Sequence, residues 1–235
     1  MSTVLTSKSA SNPTAIASIT KLVTALVATE YINLDKEISI PSAAKIYTSI
    51  PRLRVGSEIR AYDLLFLLLQ ESSNEAAEAL AATQGREQFV ARMNSKAKAI
   101  GLTHTLFADP SGAKSDLSSP EDLFTLLRYI HDNRRFIFEI TTGNLTNTAY
   151  GEPAFQNIRN FNIVPKTTAK LVGGKIGQTN EAGETYAGIF SVPVGKEERE
   201  VAVIVLGSRD STGDVKKLLD FVMATYAAAE GQSAQ

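Results

Sequence analysis

The sequence predicts an α/β fold in which an antiparallel sheet flanked by helices adjoins an all-helical lobe. Apolar residues repeat at helical spacing through the middle of the chain, whereas two runs rich in β-branched and aromatic residues follow residue 165. These runs, TYAGIFSVPV and EVAVIVLGS, are separated by a turn around Gly195-Lys196, so we expect an antiparallel pair. We expect one catalytic domain over 1–235, with an α/β lobe of about 1–45 and 165–235 and a helical lobe of about 46–164.

The helices follow from apolar spacing and from the residues that begin and end them. Ser119-Pro120-Glu121 is typical of a helix start, and the segment NEAAEALAATQG ends at Gly85. The predicted helices are 14–32, 61–70, NEAAEALAATQG, 86–100, 120–132 and 213–229.

Composition excludes several classes of function. A formal charge of −1 gives no reason to expect nucleic acid as a partner, and the absence of cysteine rules out disulfides and thiolate metal sites. The longest apolar run, Leu64–Leu69, is too short to cross a bilayer, and Met1–Pro13 lacks the apolar segment of a signal peptide. We therefore expect either a cytosolic protein or one that begins after a removed leader.

A Ser-x-x-Lys pattern occurs three times, as Ser18/Lys21, Ser42/Lys45 and Ser111/Lys114. Ser42 follows a proline in a loop and Ser111 lies in a Pro-Ser-Gly turn, so only Ser18 begins a long buried helix. One helical turn places Ser18 and Lys21 on the same face. The alternative interpretation is an N-terminal helix serine beside a lysine that extends to solvent.

Two further short motifs also have structural alternatives. Ser72-Ser73-Asn74 lies between two apolar helices, where Ser72-x-x-Glu75 also fits a capping box. Lys175-Ile176-Gly177 follows Gly173-Gly174, which also fits a glycine-rich turn before an edge strand. However, the order SITK, SSN, KIG is that of the S-x-x-K, S-D-N and K-T-G signature of penicillin-binding proteins and class A β-lactamases.

The chain resembles the low-molecular-mass penicillin-binding proteins, the serine D-alanyl-D-alanine carboxypeptidases of bacterial cell-wall metabolism. The resemblance spans about residues 4–225. Its segments are IASITKLVTALVATEYI, VGSEIRAYDLLFLLLQESSNEAAEALA, GLTHTLFADPSG, KIGQTNEAGETYAGIF and VAVIVLGS. It implies a β-lactamase/DD-peptidase-like fold with the catalytic groove between the two lobes.

The resemblance assigns a catalytic role to five residues. Ser18 would attack the peptide carbonyl between two D-alanines and form an acyl-enzyme, with Lys21 as its base. Ser72 would relay the proton to the leaving amine, and Asn74 would hold Lys21 and a substrate amide. Lys175 would add positive potential near the terminal carboxylate of the substrate.

Other residues complete the expected site. The backbone N–H groups of Ser18 and Gln178 would form the oxyanion hole, Gly177 would allow close approach of the substrate, and the Thr179 hydroxyl would help to bind its carboxylate. Neither His104 nor His131 lies in a Ser-His-Asp motif, and both are expected to be structural or on the surface. We expect burial and the Lys175 cation to lower the pKa of Lys21.

The resemblance also implies partners and location. The ligands would be a peptidoglycan stem peptide and β-lactam antibiotics, without a metal or organic cofactor. The mature protein would act in the cell envelope, in the periplasm or otherwise outside the cytoplasmic membrane.

The sequence departs from the family in two places. Ile176 stands where the family usually has threonine or serine, so a hydroxyl that binds carboxylate is missing and weaker ligand binding is expected. We also expect the leading helix and strand of the family to be missing, through truncation of the chain or reduction of the domain, with Thr3–Lys8 as the one remaining strand. A missing strand would leave a sheet edge exposed and favour a homodimer.

Two other functions compete with a DD-peptidase. A class A β-lactamase would need a glutamate in an E-x-x-L-N segment, but Glu121 and Glu139 lie in different surroundings, and the Tyr-x-Asn of class C is also absent. The best support for the second alternative, a catalytically silent peptidoglycan-binding scaffold, is Ile176. Carboxypeptidase and endopeptidase activities stay open at this stage.

Overall fold

The computed structural model describes residues 3–145, 150–194 and 197–233. Its helices are α1 (Lys21–Tyr31), α2 (Ala61–Leu69), α3 (Asn74–Ala82), α4 (Arg86–Ala99), α5 (Pro120–Asn133), α6 (Arg135–Thr142) and α7 (Ser211–Ser233), with 3-10 turns at Ala17–Thr20 and Ser42–Ala44. Its strands are β1 (Thr14–Ala15), β2 (Glu37–Ser39), β3 (Glu58–Arg60), β4 (Leu117–Ser118), β5 (Lys170–Thr179), β6 (Gly183–Val194) and β7 (Glu197–Ser208). The predicted α/β class is confirmed.

The main sheet has the order β5-β6-β7 and is antiparallel throughout, while β1 pairs with β4 and β2 with β3. Side chains alternate between the two faces along β6 and β7, as the period of two in the sequence requires. One face packs on α7 and the other on the helical core. The α7 face carries Tyr186, Phe190, Val192, Val201, Val203 and Val205, and the opposite face carries Ala187, Ile189, Ala202, Ile204 and Leu206.

The helical core is built around α2, whose nine residues are all buried. A helix that is apolar on every side has no face to offer to solvent, so its neighbours must enclose it. Helices α1, α3 and α6 pack against α2, and α5 and α6 also contact the sheet. The predicted cap of α5 is present, since the Ser119 side chain accepts a hydrogen bond from Asp122 N and Pro120 occupies the first turn.

The first helix begins later than predicted. Instead of a helix over 14–32, the chain forms β1, then the 3-10 turn, and α1 only from Lys21. Two features prevent an earlier start: Thr14 and Ala15 pair with β4, and Ala17 has a φ of +49°, which is incompatible with a right-handed helix. Ser18 therefore lies in the turn that leads into α1, not in α1 itself.

The prediction of a strand at Thr3–Lys8 is wrong. These residues are exposed and form no strand, and the first strand in the described part of the chain is β1, which pairs away from the main sheet. Among the described residues, β7 has a strand partner on one edge only, so the homodimer expected from an open edge stays a prediction. The predicted turn at Gly195-Lys196 lies outside the described residues.

The predicted division into two lobes stays an expectation, as does the single-domain assignment. Within the described ranges, no helix combines the length and apolarity needed to cross a bilayer.

Candidate active site

The structure brings Ser18, Lys21 and Asn74 into direct contact at the junction of the 3-10 turn and α3. Lys21 Nζ lies 2.7 Å from Ser18 Oγ and 2.8 Å from Asn74 Oδ1. A third contact, to the backbone carbonyl of Ser111 at 2.5 Å, was not predicted. The Lys21 side chain is fully buried, whereas Ser18 and Asn74 are partly exposed, so Ser18 is accessible from solvent and the Lys21 amine is not.

Burial lowers the pKa of Lys21 from 10.5 to about 7, although the negative charges of Asp109 and Asp116 act in the opposite direction. Such a shift corresponds to about 5 kcal/mol, which the rest of the fold must supply. Burial is thus confirmed as a cause of the lowered pKa. Lys175 is not among the causes of the lowered pKa of Lys21. The repulsion between the two lysines instead lowers the pKa of Lys175, which lies well below 10.5 because of burial first and the charge of Lys21 second.

Ser72 and Lys175 form a second contact pair. Lys175 Nζ donates to Ser72 Oγ at 3.0 Å and to the backbone carbonyl of Ile176 at 2.8 Å, and its side chain is fully buried. The capping-box interpretation of Ser72 is wrong, because the neighbouring Ser73 is the N-cap of α3 and accepts from Ala76 N. Ser72 has a φ of +59°, and its hydroxyl contacts the lysine instead of capping the helix.

At Gly177, strand β5 passes close to the 3-10 turn that contains Ser18. A Cβ at this position would lie 2.6 Å from Ser18 N and 2.7 Å from Thr185 Oγ1, closer than real Cβ contacts allow. Only glycine therefore fits this site without displacing the backbone around Ser18.

The remaining predicted residues lie along the same strand. Ile176 is partly buried and packs on the α7 face of the sheet, opposite to Lys175. Gln178 is exposed, and Thr179 Oγ1 accepts a hydrogen bond from Ala182 N in the turn between β5 and β6. The hydrogen of the Thr179 hydroxyl remains available as a donor.

Sequence reasoning missed Asn162, which is fully buried behind Lys175. Its side-chain amide donates to carbonyls in the last turns of two helices, Leu69 at 2.9 Å and Thr141 at 3.2 Å. Its Oδ1 accepts from Ile176 N at 3.2 Å and from Lys175 Nζ at 3.5 Å. Asn162 thus ties the ends of α2 and α6 to β5, and a lone asparagine in a loop carries no signal of such long-range contacts.

The two histidines lie apart from this cluster, as predicted. The ring of His104 lies 3.9 Å from Asp122, and His131 pairs with Asp132 and Glu200. Among the described residues, no group of three or more His, Asp and Glu side chains is arranged to hold a metal ion.

Residues 1–210 match the peptidase S11 family, described as D-alanyl-D-alanine carboxypeptidase. The chain belongs to this family. Two relatives are D-alanyl-D-alanine endopeptidases: one from Pseudomonas aeruginosa, 36% identical over 176 residues, and one from Escherichia coli, 32% identical over 179 residues. Each alignment covers 72% of this chain and 56% of the relative.

A solved structure supports the same fold. The D-alanyl-D-alanine carboxypeptidase of Mycobacterium tuberculosis is 28% identical, with a TM-score of 0.71, over 84% of this chain and 76% of that one. The predicted DD-peptidase-like fold of the S11 family is therefore confirmed. The chain spans little more than half the length of the two curated relatives.

Proposed function

We propose that this protein is a serine DD-peptidase that cleaves D-alanyl-D-alanine bonds, or the D-alanine cross-links, of bacterial peptidoglycan through an acyl-Ser18 intermediate. Penicillin would acylate the same hydroxyl. The contact of Ser18 Oγ with a buried lysine of lowered pKa is the observation that carries the proposal. Family membership supports it, and so does the name shared by the two relatives.

The partners of Lys21 explain how it would activate Ser18. A neutral amine has two N–H donors and one lone pair. Asn74 Oδ1 and the Ser111 carbonyl can only accept, so they take both N–H groups. The lone pair is then left for the third contact, the O–H of Ser18, which is the proton that a general base must remove.

The acylation step follows from this arrangement. Lys21 takes the Ser18 proton while Oγ bonds to the carbonyl carbon, and the C–N bond then breaks as the proton passes to the leaving amine, with Ser72 as the expected relay. The N–H groups of Ser18 and Gln178 would stabilise the oxyanion. Water then hydrolyses the ester to release the acid and restore Ser18.

Lys175 is proposed to bind the terminal carboxylate of the substrate. Its pKa is lowered in the free site, by burial first. A carboxylate brought alongside it favours the ammonium form and opposes that decrease in pKa. Binding and protonation of Lys175 are then coupled.

The first test is the intact mass after incubation with benzylpenicillin. We expect a stoichiometric adduct that Ser18→Ala abolishes and that Ser42→Ala, a change in a Ser-x-x-Lys pattern on an exposed turn, leaves unchanged. No adduct at saturating penicillin would favour the scaffold function suggested by Ile176. Rapid turnover of a chromogenic cephalosporin would instead favour a β-lactamase.

The second test separates the two peptidase activities. Purified muropeptides are assayed for D-alanine release and for cleavage of cross-linked dimers. The names of the two relatives favour cross-link cleavage as the larger rate. A site of action outside the cytoplasmic membrane, where peptidoglycan lies, is part of the same proposal.

A further inference from the structure

Two buried carboxylates lie beside the Lys21 site, and the proposed acylation assigns neither of them a part. Asp109 is 1% exposed and Asp116 is fully buried. Burying an anion is costly unless it is hydrogen-bonded, and both residues are bonded to the segments that hold Ser18 and Lys21. Their contacts indicate what they do.

Asp109 folds the loop that carries the Ser111 carbonyl. Its Oδ1 accepts from Ser111 N at 2.6 Å, from Ser111 Oγ at 2.7 Å and from Gly112 N at 3.0 Å, and its Oδ2 accepts from Lys114 N at 2.6 Å. These four bonds wrap residues 109–114 around one carboxylate. The wrapped loop directs the Ser111 carbonyl at Lys21 Nζ.

The same loop packs against the backbone that precedes Ser18. A Cβ on Gly112 would lie 1.9 Å from the carbonyl oxygen of Ala17, and Gly112 has a φ of +77°. Ala17 itself is held at a φ of +49°, a conformation that alanine rarely adopts without support from its surroundings. The Asp109 loop therefore contacts the backbone of the turn that contains Ser18 as well as the side chain of Lys21.

Asp116 joins this loop to the 3-10 turn from the other side. Its Oδ2 accepts from Thr20 Oγ1 at 2.7 Å, and its Oδ1 accepts from Ala108 N at 2.6 Å and Asp109 N at 3.2 Å. Its backbone carbonyl accepts from Ile16 N at 3.0 Å. Ile16 and Thr20 flank Ser18 in the sequence. Asp116 is therefore hydrogen-bonded to both ends of the 3-10 turn that contains Ser18.

We propose that Asp109 and Asp116 are positioning residues, which act through the Ser111 carbonyl and through Thr20 to hold Lys21 against Ser18. This inference rests on the proposed function, because positioning a base matters only if Ser18 reacts. Neither carboxylate touches the reacting atoms, so neither is a catalytic residue.

The charges around Lys21 predict a second effect of the same residues. Burial lowers its pKa, and Asp109 and Asp116 oppose that decrease, while Lys175 is the neighbouring cation. Asp109 is ionised, because the hydrogen bonds from its loop outweigh burial and lower its pKa. Burial raises the pKa of Asp116 to about 6, so Asp116 is largely ionised above that pH.

Besides Lys21, the cation of Arg86 also interacts with this acidic pair. The pKa of Arg86 is raised first by its hydrogen bond to Glu78 and, to a smaller extent, by the charges of Asp109 and Asp116. The negative charge of Asp116 therefore interacts with both Arg86 and Lys21. Removing that charge should lower the pKa of Lys21.

The test is the pH profile of the penicillin acylation rate from pH 5 to 9. In Asp116→Asn, the amide oxygen can still accept from the backbone N–H groups and its NH₂ can donate to Thr20 Oγ1, so the shape is kept while the charge is lost. We expect the midpoint of the acid limb to move down by about one pH unit. A purely structural role would not move that midpoint.

Asp109→Asn is the second variant, because its new NH₂ group faces the N–H of Lys114 and opens the loop. We expect its acylation rate at the optimum pH to fall about tenfold, with the midpoint again lowered. Asp122→Asn is the matched control: Asp122 is a buried carboxylate that accepts from His104 N and Thr105 Oγ1, and its variant should keep the wild-type profile.

The outcomes separate the two proposals. An inert wild type would overturn the proposed function. A reactive wild type with unchanged acylation rates and unchanged midpoints in both aspartate variants would overturn the role of the two carboxylates alone. If Asp116→Asn fails to fold, Asp109→Asn still decides the question, because the negative charge of Asp109 also acts on the pKa of Lys21.

Discussion

Replacing Asn74 by aspartate places a carboxylate where an amide oxygen now lies 2.8 Å from Lys21 Nζ. The two side chains have nearly the same shape, so the main change is one negative charge beside the base. The side chain also loses its N–H donor to the Tyr47 carbonyl, at 2.8 Å, which costs about 1 kcal/mol. The charge should dominate the effect on acylation.

The magnitude follows from the pKa of about 7 at Lys21. A carboxylate within about 4 Å stabilises the ammonium form and raises a pKa by about 1–3 units. With a rise of two units, the neutral fraction at pH 7 falls from about one half to about one in a hundred. Acylation by penicillin should then be about fiftyfold slower at pH 7 and recover as the pH approaches 9 or 10.

The assay is the acylation rate measured by intact mass or with a fluorescent penicillin between pH 6 and 10. Asn74→Ala is the control, because it removes the same hydrogen bonds without adding a charge. It should be slower at every pH, with no upward shift of the midpoint. A midpoint that stays near 7 in Asn74→Asp would refute the assignment of Lys21 as the base.

Three further predictions concern strand β5 and the ion pair between Arg52 and Glu71. Ile176 is partly exposed, and Ile176→Thr, which restores the hydroxyl usual in the family, should raise the acylation rate about tenfold by adding a hydrogen bond to the ligand; an unchanged rate would mean that this side chain stays on the α7 face and does not reach the ligand. Gly177→Ala pushes a Cβ to within 2.6 Å of Ser18 N, so it should reduce acylation by at least about tenfold and also lower the midpoint of urea unfolding; wild-type kinetics would show that β5 can move away without cost. Arg52→Ala leaves the buried carboxylate of Glu71 without the cation that binds it at 2.6 Å through two nitrogens, and should lower the free energy of unfolding by about 3 kcal/mol. Arg52→Lys should recover part of that loss in urea unfolding, and equal stability of all three proteins would contradict the importance of the pair.

Much of the fold could be predicted because its signals are local. The alternation along β6 and β7 is visible in the sequence, and each apolar residue lies on the face that this period assigns to it. Helix α2 is a continuous apolar run, and α5 begins at a serine-proline pair. These features depend on neighbours in the chain.

The errors arose where distant contacts override local preference. The segment 14–20 has the apolar spacing of a helix, yet pairing with β4 and a positive φ at Ala17 delay α1 to Lys21. The cap of α3 is a second example. Ser72 fits a capping box in the sequence, but the adjacent Ser73 caps the helix in the structure. A cap shifted by one residue leaves the Ser72 hydroxyl for Lys175.

The candidate site was predicted unevenly for a similar reason. The motif residues stand out by spacing and order, whereas Asn162, Asp109 and Asp116 are single polar residues whose partners lie elsewhere in the chain. Aspartate in a loop most often forms a turn, and the DPSG segment gives no sign that its carbonyl meets Lys21. Such supporting contacts become visible only in three dimensions.

The depth of the lysines governs how the site would exchange hydrogen ions with bulk water. Lys21 is sealed from solvent, and the outermost of its hydrogen-bonding partners are the partly open side chains of Ser18 and Asn74. Once Ser18 Oγ has bonded to the carbonyl carbon, and before the C–N bond breaks, the hydroxyl link is gone. The hydrogen ion captured by Lys21 is then held beside the departing amine. Its transfer to that amine would therefore be favoured over its loss to bulk water.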